Sequence, residues 1–159
     1  MADTENEIRN SQNAELPMED VRLAETVKRH LRFGWWSLFV FVLLGTILEG
    51  LLGFKWIPYV TDDIQIRRMM WTLAHAHGAL LGLVHIAFAL TVHSGVGTTP
   101  HRWISPSLMT ASILLPGGFF AGGIFPFGND PGVGVWVVPL GAGFMIAAVL
   151  LIARSLKSN

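Results

Sequence analysis

The stretch Met69-Met70-Trp71-Thr72-Leu73-Ala74-His75-Ala76-His77-Gly78-Ala79-Leu80-Leu81-Gly82-Leu83-Val84-His85-Ile86-Ala87-Phe88-Ala89-Leu90-Thr91-Val92-His93 contains no Asp, Glu, Lys or Arg. A helix of about 20 apolar residues crosses the hydrocarbon core of a bilayer. Backbone polar groups find no water at that depth, so such a segment must close its hydrogen bonds internally as a helix. Imidazoles are costly in the same setting unless they bond something, and an ionisable residue inside a membrane marks a functional site by default. The row His75, His77 and His85 is where chemistry is expected.

Three more stretches read as spans, at about 34–54, 107–127 and 135–153, beside the second at about 69–93. The third holds Pro116-Gly117-Gly118 and closes at Pro126, so a kink or an irregular end is expected. The chain is 52 % hydrophobic and 14 % charged, whereas soluble domains carry about 25 % charged residues. The expected fold class is all-α, an integral membrane four-helix bundle with up-down topology. Its domains are a polar leader over 1–32, a membrane domain over 33–155 and a short tail over 156–159. A formal net charge of zero leaves no basic footprint for nucleic acid. The absence of cysteine excludes disulfides, iron–sulfur clusters and thiolate ligation. Met1 to Glu25 is acidic and polar, unlike a signal peptide, so the first span is expected to remain as a signal-anchor.

Cationic residues set direction across a membrane. Arg9, Arg22, Lys28, Arg29 and Arg32 precede span one, Arg102 lies between spans two and three, and Arg154 and Lys157 follow span four. Only Lys55, Arg67 and Arg68 fall on the other side of an up-down arrangement. Both termini are therefore expected in the cytoplasm, with the protein multi-pass in the inner membrane and membrane lipid as its surroundings. Trp35, Trp36, Trp56, Trp71, Trp103 and Trp136 fall near span ends, as in an interfacial aromatic belt. Leu16, Val21, Leu23, Val27 and Leu31 predict a short amphipathic helix over Ala14–His30 leading into span one. Spans three and four are dense in Gly117, Gly118, Ala121, Gly122, Gly123, Gly141, Ala142, Gly143, Ala147 and Ala148. Such small faces serve close packing within a bundle, or leave room for a bulky ligand or a second protomer.

A helical residue turns about 100° and rises about 1.5 Å, which sets His75 and His77 about 160° apart and forbids one shared metal. His75 shares a face with Gly78, Ala79 and Gly82, a slot suited to a flat cofactor. His77 faces Leu81, Val84 and Phe88 and is expected to bond a neighbouring helix. His85 lies about 15 Å along the axis from His75 and about 80° round, a separate and structural position. His93 and His101 sit near a membrane edge. Glu49, late in span one, comes to a similar depth as His75 and His77 if the spans run antiparallel. A carboxylate bonded to a ligating imidazole is a common outer-shell arrangement, so Glu49–His77 or Glu49–His75 is the expected pair.

Three short stretches carry a likeness to a known family. Gly53-Phe54-Lys55-Trp56-Ile57-Pro58-Tyr59, the pattern Trp71-x-x-Ala74-His75 with Gly82, and Phe127-Gly128-Asn129-Asp130-Pro131-Gly132 resemble the small four-span membrane isomerases typified by styrene oxide isomerase. The hydroxylaminobenzene mutases resemble this layout more distantly. The likeness spans roughly residues 34–155. It implies haem b, held by an axial histidine that His75 matches, in a homo-oligomer, namely a trimer. It also implies that ferric iron opens a small apolar epoxide to an aldehyde. The chain departs from the family where its asparagine falls on Leu81 and its tyrosine on Phe125. With Phe119 and Phe120, these would form part of an apolar substrate pocket.

Two other readings stay open. A non-catalytic haem protein would need a second axial ligand, and Met109 and Met145 are weak ones within a protomer. A cofactor-free accessory membrane subunit would use its histidines only to bond helices together. A transporter is poorly served by four spans with one acid and no internal repeat.

Overall fold

The computed structural model describes residues 2–60, 65–96, 101–127 and 130–156, with side chains from residue 18 onward except at 58 and 60. Its elements in chain order are α1 (Ala2–Gly53), α2 (Ile57–Val60), α3 (Gln65–His93), α4 (Ile104–Ile124) and α5 (Val138–Leu156), with a 3-10 turn at Val133–Val137 before α5. Four apolar stretches, Met18–Gly53, Gln65–His93, Ile104–Ile124 and Val133–Leu156, are long and apolar enough to cross a membrane. The protein is thus all-helical and suited to a multi-pass membrane setting. The helix expected over Ala14–His30 continues directly into span one. Helix α1 runs without interruption from Ala2 to Gly53, because Lys28-Arg29-His30-Leu31-Arg32-Phe33 contains no residue that would stop a helix.

α1 ends in a tight cap. Lys55 adopts a left-handed φ of 49°, while Trp56 N–H donates to the Leu51 carbonyl (3.0 Å) and Lys55 N–H to the Leu52 carbonyl (3.1 Å). These bonds satisfy carbonyls that the last helical turn leaves open. α4 continues through Pro116 and leaves the helix at Phe125, where Pro126 follows. The cation Arg67 covers this exit. Its Nε donates to the Gly123 carbonyl at 3.0 Å, at the helix end that favours positive charge, and its guanidinium lies 5.8 Å from the centre of the Trp71 ring.

The helices pack in chain order: α1 along α3, α3 along α4, and α4 along α5. In the most apolar window of each, 11 % of α1 and of α5 is buried, against 39 % of α3 and 50 % of α4. The inner helices therefore carry the core, and the outer two turn most of their apolar surface outward. One cluster joins Leu81, Ala111 and Leu115 to Phe119, Val138, Ala142 and Met145. A second joins Phe88, Ile104, Leu108 and Ala148 to flanking residues of α3 and α5.

α1 meets α3 through small residues. A Cβ on Gly34 would come within 2.7 Å of the Gly82 carbonyl oxygen, and one on Gly82 within 3.0 Å of the Gly34 oxygen. Contacts at Gly34–Gly82, Phe41–Gly78 and Gly45–His75 descend α3 as they climb α1. In α4 and after it, Gly118, Gly122 and Gly134 bring the 3-10 turn onto the helix, and Gly132 N–H donates to the Gly122 carbonyl at 2.8 Å. Most of the small residues therefore serve packing inside the chain. Gly117 and Gly143, with no atom within 4 Å of a built Cβ, face outward.

The two kinds of glycine should respond oppositely to alanine. Gly34→Ala forces two backbones apart and should lower unfolding stability in detergent by about 1–3 kcal/mol. Gly143→Ala should be neutral or stabilise by up to about 1 kcal/mol through helix propensity. Thermal unfolding followed by circular dichroism reads both.

Candidate functional site

The histidine row resolves into three separate environments. His75 Nδ1 lies 2.7 Å from the backbone carbonyl of Phe41 on α1. A carbonyl only accepts, so Nδ1 carries the proton and the Nε2 lone pair stays available. The imidazole lies against Gly45, where any side chain would overlap it. His75 as a residue is half-buried. His77 Nδ1 lies 2.8 Å from the Leu73 carbonyl one turn back in its own helix, and its ring packs on Phe119 with centroids 4.8 Å apart. It thus bonds within α3, and reaches the neighbouring helix only through ring contact.

The slot above Gly78 and Gly82 is filled. The Phe41 ring covers Gly78, while Leu38 and the Gly34 backbone cover Gly82. Ser37 Oγ also donates to the Gly78 carbonyl at 3.1 Å. The glycines that looked like a cradle for a flat cofactor are the seat of α1. Glu49 follows Gly45 by one turn and is exposed, and the bonds at His75 and His77 go to carbonyls rather than to this carboxylate.

The expected pocket residues do not converge. Leu81 is buried with Ala111 and Leu115, and Phe119 packs on that cluster. Phe120 instead stacks on Trp71 at 5.7 Å, and Phe125 is 74 % exposed. Trp71, read as an interfacial anchor, faces inward against Gly123, and its indole Nε1 is buried without a partner among the described residues. Tyr59, on the short α2 between α1 and α3, is buried. Burial raises its hydroxyl above the usual phenol range, with Arg68 pulling the other way. It stays protonated at physiological pH.

His85 has an environment the sequence did not suggest. It is fully buried, as is His30 on α1, and their Nδ1 atoms lie 2.7 Å apart. The planes are tilted by only 22° with centroids 4.7 Å apart. Near-parallel rings bring two nitrogens that close only by meeting edge to edge, as in a hydrogen bond. His30 Nε2 lies 2.8 Å from Ser105 Oγ and His85 Nε2 lies 2.9 Å from Ser112 Oγ, both serines on α4. All four ring nitrogens are therefore paired in one chain across three helices. Phe33 and Phe88 close around it, with centroids 4.5 Å from His85 and 4.8 Å from His30.

A signal for His30 did exist in the sequence. His30, Gly34, Ser37, Phe41 and Gly45 recur at steps of three or four, as do His75, Gly78, Gly82 and His85. Each series is the seam of its helix. A straight helix places His75 and His85 about 80° apart, but a seam shared by two wrapped helices follows a period of about 3.5, which narrows that drift.

Among the described residues, no three His, Cys, Asp or Glu side chains gather as a metal-binding group. Among known protein families, curated proteins and solved structures, none matches this chain.

The buried pair makes a thermodynamic prediction. His85→Leu strands the His30 nitrogen and the Ser112 hydroxyl, and should destabilise by about 1–3 kcal/mol. His30→Leu should do the same. The double replacement should cost clearly less than the sum, because both changes remove one shared bond. Denaturation of the three variants in a common detergent measures the difference.

Proposed function

We propose that this chain is a multi-pass protein of the inner membrane that holds haem b through His75. The observation that carries the proposal is the 2.7 Å bond from His75 Nδ1 to the Phe41 carbonyl. Ligating histidines almost always donate their second ring nitrogen to such an acceptor, which fixes the tautomer and raises the basicity of the other nitrogen. The donor chemistry of His75 fits an axial ligand. The Gly78–Gly82 face does not fit as a cradle, since Phe41 and Leu38 occupy it. Binding would therefore use the outward side of the α1–α3 pair, where a second copy of the chain can complete the site. That is consistent with the homotrimer implied by the resemblance.

By that resemblance the activity is isomerisation of a small apolar epoxide. Bound ferric haem supplies a Lewis acid for the epoxide oxygen. The chain's own contribution is to hold the His75 proton on the Phe41 carbonyl and to keep the imidazole against Gly45. Leu81, buried in the α3–α4 core, cannot contact a substrate beside His75.

The opposed contacts of successive helices support an up-down crossing with both termini cytoplasmic. Arg22, Lys28, Arg29, Arg32, Arg102 and Arg154 then share one side, and Lys55, Arg67 and Arg68 the other. Because the chain lacks cysteine, single cysteines report on this cleanly. Lys55→Cys should react with an impermeant maleimide in intact cells, and Arg102→Cys only after lysis. The reverse pattern inverts the topology.

A second reading, a cofactor-free accessory subunit, is favoured by the filled glycine face. The absorbance of the purified protein separates the two. Haem binding predicts a Soret band that is lost in His75→Ala and weakened at least about tenfold in occupancy by Gly45→Leu, whose side chain displaces the imidazole. A colourless wild-type protein expressed with ample haem supports the accessory subunit. With haem present, an epoxide panel assayed for aldehyde tests the isomerase, and no turnover across the panel counts against it.

A further inference from the structure

We infer that Ser105, His30 and His85 form a proton relay, closed at its inner end by Ser112, that opens on a basic cleft at one end of the bundle. The bonds are 2.8 Å from Ser105 Oγ to His30 Nε2, 2.7 Å between the two Nδ1 atoms, and 2.9 Å from His85 Nε2 to Ser112 Oγ. Both imidazoles are fully buried and Ser112 is 7 % exposed, so bulk water does not interrupt the chain. Ser105 is half-buried and lines a cleft of about 800 Å³ between α1 and α4 where Arg22, Arg29, Arg102 and His101 outnumber the acid Glu19. Arg29 also donates to Ser105 Oγ, at 3.1 Å.

Ring chemistry dictates how such a chain works. Two facing Nδ1 atoms at hydrogen-bond distance hold one proton between them, since two would repel and none would leave two lone pairs opposed. In a neutral pair this sets every other position. If His30 Nδ1 donates to His85 Nδ1, then His85 Nε2 carries a proton and donates to Ser112, while His30 Nε2 accepts from the Ser105 hydroxyl. The alternative reverses every bond. The two arrangements run the same bonds in opposite directions, and the bond that His85 also makes to the Leu108 backbone weights them unequally.

Uptake of one proton proceeds in balanced steps. Ser105 gives its hydroxyl proton to His30 Nε2 and regains one from a hydronium ion in the cleft, which leaves as water. His30 Nδ1 passes its proton to His85 Nδ1. The pair then holds three protons on four ring nitrogens and one positive charge, with no bond other than those to hydrogen made or broken. Arg29 holds the Ser105 oxygen at the mouth of the cleft, and Phe33 and Phe88 pack against the two rings.

Nitrogen-15 NMR of the full chain, labelled at histidine and held in detergent micelles, tests the relay through solvent exchange of the shared proton. The expected wild-type spectrum shows one proton coupled to Nδ1 of both His30 and His85. Ser105→Ala should slow its exchange with water at least about tenfold, a barrier rise of about 1.4 kcal/mol. Ser105→Thr should restore the rate, and Ser112→Ala should leave it near wild type. If Ser105→Ala does not fold, Ser105→Val, which has the shape of the threonine variant without its hydroxyl, should also slow exchange. The relay is overturned if no shared proton is found. It is equally overturned if loss of the Ser105 hydroxyl leaves exchange unchanged or faster, or if Ser112→Ala slows exchange as much. Those results would mean that the pair is a static bond, reached by solvent only when the helices open.

Discussion

The close approach of α1 to α3 is the constraint on which the rest of the structure depends. Between helices in hydrocarbon there is little hydrophobic drive, because lipid tails are as apolar as leucine; association rests on packing and on hydrogen bonds between helices. Gly34 and Gly82 put backbone against backbone, Gly78 receives the Phe41 ring, and Gly45 receives His75. Each polar contact along the seam follows from that proximity. Ser37 reaches the Gly78 carbonyl and His75 reaches the Phe41 carbonyl only because no side chain keeps the helices apart.

The seam also accounts for the buried histidines. An imidazole in a low-dielectric interior is stabilised only when its nitrogens are bonded, and a partly satisfied network is worse than an apolar core. His30 and His85 meet this condition through each other and through Ser105 and Ser112. The arrangement joins α1, α3 and α4 at one end of the bundle, where Phe88 of the second apolar cluster packs against His30. At the other end, Arg67 takes a similar part by covering the end of α4. Polar bonds thus pin both ends of a stack whose outer helices bury little.

The candidate sites were legible only in part. That His75 occupies a face with Gly78 and Gly82 follows from helical periodicity. That this face was taken by Phe41 and Leu38 does not, since an open groove and a packed groove have the same sequence. A straight helix carries His85 away from His75, and the pair with His30 arises from helices that follow each other. His30 itself sits among Lys28, Arg29 and Arg32, and that charge suggested a surface leader. Its spacing to Gly34, Ser37 and Phe41 was the contrary signal. Trp71 is a similar case: six tryptophans near span ends suggest a belt, yet this one is turned inward by its fit against Gly123.

The sequence alone determined the all-helical class and the four stretches able to cross a membrane, because backbone groups in hydrocarbon have no partner outside their own helix. It also determined which residues are small enough for close contact and which are costly to bury. Tertiary structure alone decided what meets at each contact. A glycine specifies that something comes near, not what, and a histidine specifies that a partner is needed, not which. His30 and His85 stand far apart in the chain and are joined because α1 lies antiparallel to α3 in one register, and that register is a property of two surfaces together.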